Sequence, residues 1–290
     1  MSHPDVSTLP AVAAEIAYTS PSDAASRIRI FPPSSGRKME APESEKRAVQ
    51  VFDCRPIAGA LKMDVEGFEL HSRPTAFDDF FLPEEVQQHY YPEVVSTLKR
   101  DLGALEVFVF DHNVRSRPRA ARKEAGVRKP VEGAHNDYTL TSGPRRIDEI
   151  LNDNDAGHLI GKRAALINLW RPLVGPIQDH PLAICDARST KLEDFIATQI
   201  QHFQEGDLET PAHVGEVFSF QYSPEHRWYY ASDMQPDEVI FLKCYDTAVD
   251  GRARYTGHTG FRNPECPADF VARESIESRT VVVFDEPRAG

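Results

Sequence analysis

The chain has 290 residues, 40% of them hydrophobic and 27% charged, with a formal net charge of −12 at pH 7. This length allows one large domain or two ordinary ones, and the composition is that of a globular protein with a sizeable core. The acidic balance argues against a nucleic-acid partner, because phosphate binding needs a basic surface. No apolar run approaches the roughly eighteen residues that a membrane-spanning helix needs.

The cysteines are widely spaced and form no CxxC pair; they are Cys54, Cys185, Cys244 and Cys266. This spacing is typical of reduced, mostly buried thiols and favours neither a disulfide framework nor a zinc site. The N-terminus also lacks the basic and apolar layout of a secretion signal. We therefore expect a cytoplasmic location.

Residues 1–45 are rich in Pro, Ser and Ala. Such a composition predicts a flexible N-terminal arm, with a short strand at residues 26–31, that either stays disordered or caps a neighbouring subunit. Residues 46–290 are expected to form a single domain, and a homodimer is favoured because arms and lids of this kind exchange contacts.

The remaining pattern alternates short apolar runs with turns and contains few helices. Apolar and β-branched runs predict strands at residues 48–53, 68–70, 104–110, 164–170, 181–186, 217–222, 227–230, 238–245, 255–261 and 274–284. Helical spacing and end signals predict helices at residues 83–102, 146–151 and 192–203. Because the second half does not alternate strand with helix, the pattern favours a mainly β jelly roll, or double-stranded β-helix, with flanking helices over a parallel α/β sheet.

Residues 112–131 are unusually basic, since seven Arg or Lys lie between His112 and Pro130. Charge runs of this type are commonly solvated surface. The alternative is a lid beside the motif that follows.

That motif is His135-Asn136-Asp137. On an extended segment residues i and i+2 point to the same side, so His135 and Asp137 present an imidazole and a carboxylate to one point. One more distant histidine would complete the two-histidine, one-carboxylate set of non-heme iron sites. Taken alone the motif is weak, and a solvated turn before a strand explains it as well.

Eight histidines outside the arm and the basic segment compete for the third position. His258 is favoured because it lies on a predicted late strand, ahead of an arginine-bearing final strand. His226, beside Trp228 and two tyrosines, is the main rival, although its neighbours are typical of a packed, hydrogen-bonded histidine. His213 is a weaker rival.

The final strand carries Arg273, Ser275, Glu277 and Arg279 at one parity, hence on one face. If that face points inward it needs an anionic guest, and a forked arginine with a nearby hydroxyl suits the far carboxylate of 2-oxoglutarate. If it points outward it is a charged solvent face. Arg171, in an otherwise apolar strand, poses a similar choice: it pairs with a carboxylate such as Asp186, or it holds an anionic substrate or cosubstrate.

Several segments in this order together resemble the hydroxylase/desaturase family of non-heme iron oxygenases. They are Asn168-Leu169-Trp170-Arg171-Pro172-Leu173, Pro181-Leu182-Ala183-Ile184-Cys185-Asp186, His226-Arg227-Trp228-Tyr229-Tyr230, His258-Thr259-Gly260-Phe261 and residues 273–279. The family includes a fungal gibberellin desaturase, a protein of cephamycin 7α-methoxylation and an endoperoxide-forming enzyme of novofumigatonin biosynthesis. The resemblance runs from about residue 51 to residue 284.

The resemblance implies a double-stranded β-helix that uses Fe(II), 2-oxoglutarate and O2 on a small, apolar secondary metabolite. It assigns His135, Asp137 and His258 as metal ligands, and Arg273 or Arg279 as the arginine for 2-oxoglutarate. Ser275 and Arg171 are further candidates for the cosubstrate. Trp170, Trp228 and Tyr229 are expected at the substrate, and Tyr138 as a hydrogen-atom donor.

Two other classes of function fit the same residues. One is a non-catalytic, cupin-like binding module, and the other is a metal-dependent hydrolase that uses the same three residues with water. The reaction outcome (hydroxylation, desaturation or endoperoxidation) does not follow from the fold.

Overall fold

Strands dominate the computed structural model, which describes residues 6–22 and 24–288. The strands are β1 (Ala11–Thr19), β2 (Arg27–Ile30), β3 (Ser44–Asp53), β4 (Phe68–Ser72), β5 (Glu106–Ser116), β6 (Val127–Arg128), β7 (His135–Asn136), β8 (Lys162–Pro172), β9 (Leu182–Cys185), β10 (Phe195–His202), β11 (His213–Phe220), β12 (Trp228–Tyr230), β13 (Glu238–Asp246), β14 (His258–Gly260) and β15 (Glu274–Pro287). The α-helices are α1 (Pro83–Glu85), α2 (Tyr91–Leu102), α3 (Arg117–Ala121) and α4 (Ser142–Asp153).

The strands form two sheets with a shared interior. The larger sheet has nine strands in the order β1-β3-β12-β9-β14-β7-β11-β10-β2, and the smaller has six in the order β4-β13-β8-β15-β5-β6. One apolar cluster takes side chains from both sheets, including Ile184 of the larger sheet and Leu166 and Val281 of the smaller. This is the jelly-roll core that the sequence pattern predicts.

Strand β15 is central in the smaller sheet and pairs with β8 on one side and β5 on the other. Its two faces differ, as the two-residue period of a strand requires. Val281 and Val283 enter the shared interior, whereas Ile276 packs in a separate cluster with Val94 and Leu98 of helix α2. Ser275, Glu277 and Arg279 precede Val281 on the interior face, so the pairing of β15 with its two neighbours fixes their positions.

The predicted helix at residues 83–102 is confirmed, with a π-helical turn at Val86–Tyr90 between α1 and α2. The helix ends where Gly103 adopts a positive φ of 64°, a conformation that glycine reaches at low cost. The predicted helix at 146–151 is also present, within the longer α4.

The prediction of a flexible arm over residues 1–45 is wrong for much of its length; residues 1–5 and 23 lie outside the described part. Strand β1 pairs with β3 over all nine of its residues. Val12, Ala14, Ile16 and Tyr18 alternate into the core. The small side chains and the Pro- and Ser-rich flanks masked this two-residue period in the sequence. The expected strand at 26–31 is present as β2.

Two further expectations need correction. Most of the predicted helix at residues 192–203 is extended: residues 195–202 form strand β10, which lies between β11 and β2. Their apolar residues fit a helical period, but β-branched side chains and the two neighbouring strands favour the extended form. The predicted lid also begins too early, because residues 112–116 belong to strand β5.

The pairing of β1 predicts that this strand stabilises the fold. Ile16→Ala removes a side chain that is 1% exposed and should lower the free energy of unfolding by about 2–5 kcal/mol. Chemical denaturation measures this loss. Glu15→Ala, on the exposed face of the same strand, should cost less than about 1 kcal/mol. Equal stability of the Ile16→Ala variant and the unmodified protein would mean that β1 is not docked as described.

Candidate metal centre

Two histidines from distant parts of the chain meet through backbone pairing. Strand β7 consists of His135 and Asn136 only, and His135 lies directly opposite His258 of β14. The two imidazole rings are 4.5 Å apart between centroids. The sheet therefore places the predicted third ligand beside the His-Asn-Asp motif.

Both rings are oriented by backbone carbonyl groups. The Nδ1 atom of His135 lies 2.8 Å from the carbonyl oxygen of Gly133, and that of His258 lies 3.1 Å from the carbonyl oxygen of Thr256. A proton on each Nδ1 satisfies these contacts and leaves the Nε2 lone pairs free. The Nε2 atoms of His135 and His258 lie 3.6 and 3.9 Å from Oδ1 of Asp137.

These three side chains form a metal-ligand cluster. Their ligand atoms all lie within 4.8 Å of one another, and within the described parts of the chain no other group of three His, Cys, Asp or Glu residues meets this criterion. Two imidazoles and one carboxylate are the donor set of non-heme Fe(II) sites with open positions. The residues present thus fit Fe(II).

The charge states of the cluster suit a metal ion. Burial, together with a smaller effect of nearby His258, lowers the pKa of His135 to about 4. Burial likewise lowers the pKa of His258. Burial alone would raise the pKa of Asp137, but the two histidines, Arg279 and the hydrogen bond from Asn168 together lower it. At neutral pH the cluster presents two neutral imidazoles and a carboxylate, as metal binding requires.

Asn136, between the two ligands in sequence, fixes the motif in place. Its side-chain amide donates to the carbonyl groups of Tyr138 (2.7 Å) and Cys244 (2.8 Å), and its Oδ1 accepts from the backbone N–H of Thr256 at 3.3 Å. Asn136 is fully buried. It therefore ties the motif to β13 and to the approach to His258.

Asn168 of β8 orients the carboxylate ligand. Its Nδ2 donates to Oδ2 of Asp137 at 2.8 Å, which leaves Oδ1 facing the histidines. The thiol of Cys244 lies 4.0 Å from the same Oδ2. Asn168 lies within the strand predicted at residues 164–170, but its role does not follow from the sequence, because the register between paired strands cannot be deduced from it.

A small cavity adjoins the cluster. Its volume is about 20 Å³, room for about one water molecule. The residues that line it are Arg115, Val131, His135, Trp170, Leu182, His258, Thr259, Gly260, Arg273 and Glu277.

Arg273 is a buried guanidinium without a carboxylate partner. It is 3% exposed, donates to Ser275 Oγ at 3.2 Å and to the carbonyl oxygen of His180 at 2.8 Å, and lies over the ring of Trp170. Among the described residues no carboxylate forms an ion pair with its side chain. Burial accordingly lowers the pKa of Arg273 to about 9. A buried cation in this state favours an anionic guest.

Arg279, the rival for that role, is already neutralised. Its guanidinium forms a two-point ion pair with the carboxylate of Asp111 on β5. Glu277, between the two arginines on the same face, is buried, and burial together with nearby Asp137 raises its pKa. Of the two arginines, the geometry therefore favours Arg273 as the one that needs an external anion.

The cosubstrate role predicted for Arg171 is contradicted. Arg171 is opposite Ile276 on the face of the smaller sheet that packs against helix α2. Its guanidinium donates to Tyr90 Oη at 2.7 Å and lies 3.5 Å from a carboxylate oxygen of Glu93. It thus pairs with a carboxylate, as one alternative held, but Glu93 takes the place of Asp186.

Trp228 and the rival ligand His226 lie outside the cluster. Trp228 donates to Tyr18 Oη at 2.6 Å, and His226 stacks on Phe220 and lies 3.1 Å from an oxygen of Asp194. Both are packing residues around strand β1. The substrate role predicted for Trp228 and the ligand role of His226 are therefore not supported by their positions.

The remaining predicted site residues are His213, Tyr229 and Tyr138, and they lie in different environments. His213 is exposed on β11, opposite His202 and apart from the cluster. Tyr229 packs in the shared interior against Phe52 and Phe68 and does not line the cavity. Tyr138 is buried in the same interior, where burial raises its pKa.

Arg115 lines the cavity but was not among the predicted site residues. Arg115 belongs to the basic segment, where the sequence offered only a charge run. In the structure it lies on β5 opposite Ser275. Its alternation with buried Val114 and Ser116 is the signal that would have identified a strand.

Comparison with known proteins places the chain in a family. A family model described as an oxidoreductase/YMDC permease-like domain matches residues 16–283. Within the described ranges, no helix is long and apolar enough to cross a membrane.

Three relatives illustrate the match. The hydroxylase/desaturase efuI of Hormonema carpetanum is 36% identical over 82% of this chain and 84% of its own. The alpha-ketoglutarate-dependent dioxygenase tstK of Talaromyces stipitatus is 30% identical over 82% and 85%. A solved structure of the iron and alpha-ketoglutarate-dependent endoperoxidase NvfI, of Aspergillus novofumigatus, superposes with a TM-score of 0.79 at 25% identity, covering 94% of this chain and 98% of that one. The chain therefore belongs to the hydroxylase/desaturase family of non-heme Fe(II)/2-oxoglutarate-dependent oxygenases.

Proposed function

We propose that this protein is an Fe(II)/2-oxoglutarate-dependent dioxygenase that oxidises an unactivated C–H bond of a small secondary metabolite. The observation that carries the proposal is that both histidines of the metal-ligand cluster and the unpaired guanidinium of Arg273 line one cavity. Metal ligands and an anion anchor are the two parts that binding of a keto acid to iron requires.

His135, Asp137 and His258 are the proposed iron ligands. With 2-oxoglutarate and O2, bound Fe(II) supplies the oxidising power for hydrogen removal from the substrate. Asn168 holds Asp137 so that one oxygen faces the histidines. The backbone carbonyl groups at Gly133 and Thr256 keep both imidazoles in the tautomer that ligates.

Arg273 is the proposed anchor for the far carboxylate of 2-oxoglutarate, with Ser275 beside it. The carbonyl oxygen of His180 and the ring of Trp170 hold the guanidinium in its orientation. Trp170 forms a wall of the cavity that excludes water from the reacting groups. Arg279 has a structural role through Asp111.

The proposed substrate is apolar, and its oxidation ends in hydroxylation, desaturation or endoperoxidation. The names of the relatives cover these three outcomes, since one is a hydroxylase/desaturase and another is an endoperoxidase. We propose Tyr138 as the hydrogen-atom donor that ends the reaction, because its side chain is buried near Asp137.

The lid is proposed to span residues 117–131. This part contains α3 and β6, and Val131 lines the cavity and accepts a hydrogen bond from the backbone N–H of Gly260 at 2.8 Å. A cavity of about 20 Å³ is far too small for a keto acid, so these residues are expected to move when 2-oxoglutarate enters.

A binding module or a hydrolase remains the competing function. Neither gives a reason for an unpaired, buried arginine beside the cluster, whereas a keto acid cosubstrate does. A homodimer stays a proposal; because β1 pairs with β3 of the same chain, a dimer would use a surface other than an exchanged arm.

We also infer a cytosolic setting, since all four cysteines are free thiols.

The ligand assignment predicts that His258→Ala and Asp137→Ala abolish Fe(II) binding and succinate formation, because each removes one of three donors. Metal content after anaerobic loading measures the effect. The control is His213→Ala, the exposed rival, which should bind iron as the unmodified protein does. Iron retained at full stoichiometry in both ligand variants would contradict the assignment.

The anchor assignment predicts that Arg273→Gln weakens 2-oxoglutarate about 100-fold, the effect of losing one partner of a buried charge pair. Arg279→Gln should weaken it less than about tenfold, because its own partner is Asp111. Anaerobic titration of the Fe(II) enzyme, followed by the visible charge-transfer absorbance, measures both constants. The reverse order of effects would assign the role to Arg279.

The donor assignment predicts that Tyr138→Phe keeps iron and 2-oxoglutarate binding but lowers the oxidised substrate formed per succinate. Quantifying both products by mass spectrometry tests this expectation. Tyr229→Phe alters a buried tyrosine that packs against Phe52 and Phe68; it is the matched control and should keep the ratio unchanged. An unchanged ratio in Tyr138→Phe would remove Tyr138 from the reaction.

A further inference from the structure

Arg115 is a second arginine on the wall of the cavity. It lies on β5 directly opposite Ser275 of β15, so its side chain leaves the sheet on the same face as those of Ser275 and Glu277. It lines the same cavity as Arg273. The two guanidinium groups therefore enter one small space from adjacent strands.

The partners of Arg115 set it apart from the arginines around it. Arg117, Arg119 and Arg279 each form an ion pair with a carboxylate. In the part of the chain that the structure describes, Arg115 forms none. Its recorded hydrogen bond runs from Nη1 to the backbone carbonyl oxygen of Lys129 at 2.9 Å.

The electrostatics of the cavity favour an anion near both arginines. Arg115 acts on Arg273 as a like charge and lowers its pKa further after burial. Glu277 interacts electrostatically with both arginines, yet it forms no ion pair with either. Bound Fe(II) adds positive charge, so the cavity is suited to a doubly negative guest.

We propose that Arg115 and Arg273 together hold the far carboxylate of 2-oxoglutarate, and that Arg115 thereby couples cosubstrate binding to closure of residues 127–131. This inference rests on the proposed function, which supplies the cosubstrate. The far carboxylate is the one assigned because Arg115 lies opposite Ser275, the hydroxyl that already contacts Arg273.

The coupling follows from the second contact of Arg115. The guanidinium binds the carbonyl of Lys129, and Val131 borders the cavity two residues later. Strand β6 also pairs with β5 at this point, with Arg128 opposite Arg115. A carboxylate that fixes the guanidinium therefore also fixes the backbone that covers the cavity.

The experiment compares Arg115→Gln, Arg115→Lys and Arg273→Gln by anaerobic titration of the Fe(II) enzyme with 2-oxoglutarate and with 2-oxobutyrate, which lacks the far carboxylate. Arg115→Gln should weaken 2-oxoglutarate about tenfold or more and leave 2-oxobutyrate unchanged. Arg115→Lys, which keeps the charge without the fork, should fall between the unmodified protein and Arg115→Gln. Arg122→Gln, which alters an exposed arginine paired with Glu124 in the same segment, is the matched control and should bind both keto acids normally.

Hydrogen exchange supplies a readout that is independent of affinity. Saturating 2-oxoglutarate should slow exchange in the peptide spanning residues 127–133 of the unmodified protein and of Arg122→Gln, but not of Arg115→Gln. Circular dichroism of each variant confirms that it is folded, and Arg115→Lys keeps the test available if Arg115→Gln does not fold.

The possible outcomes distinguish failure of the role of Arg115 from failure of the proposed cosubstrate site. Unchanged 2-oxoglutarate binding in Arg115→Gln with a loss in Arg273→Gln would overturn the role of Arg115 alone. Equal weakening of both keto acids in Arg115→Gln would overturn its assignment to the far carboxylate. Unchanged binding in both Gln variants, or no binding by the unmodified protein, would overturn the proposed cosubstrate site itself.

Discussion

The candidate site depends on the buried side chain of Asn136. Its amide group joins three separate segments: the motif itself at Tyr138, strand β13 at Cys244 and the stretch before His258 at Thr256. A buried amide with all these partners is stable only in one arrangement, because each unmet hydrogen bond costs about 1–3 kcal/mol. Asn136 thereby converts two-residue strand β7, too short to hold its register alone, into a fixed platform for His135 and Asp137.

The smaller sheet supplies the other half of the site through the interior face of β15 and its two neighbours. Arg273 immediately precedes β15, Ser275 lies at its start, and Arg279 lies further along the strand, opposite Asn168. The sheet thus places the proposed anion anchor Arg273, the cavity residue Trp170 and the amide of Asn168, which orients Asp137, along one face. Their different partners decide their roles: Arg279 has Asp111, whereas Arg273 has a hydroxyl and a carbonyl oxygen.

Much of this arrangement could be predicted from the sequence. A strand sends alternate residues to one face, so the spacing of His135 and Asp137 and the parity of the last strand predict which side chains lie together. The position of His258 on a late strand favoured it as the third ligand. The jelly-roll class followed from the run of strands after residue 215. The choice between Arg273 and Arg279 could not be made, because it depends on Asp111 of another strand.

The wrong predictions have a common physical origin: they depend on which strands pair and on which face of a sheet a side chain lies. Arg171 and Trp170 are neighbours in sequence, but they leave β8 on opposite faces, and only the sheet decides which face meets the metal cluster. The sequence of β10 predicts a helix, but the segment is extended because it pairs with β2 and β11 on either side.

The most direct test of the account is anomalous diffraction from crystals grown without O2 in Fe(II) and 2-oxoglutarate. We expect one iron ion bonded to His135, Asp137 and His258, with the far carboxylate of the keto acid at Arg273. Iron bound elsewhere, or a keto acid anchored on Arg279, would contradict it.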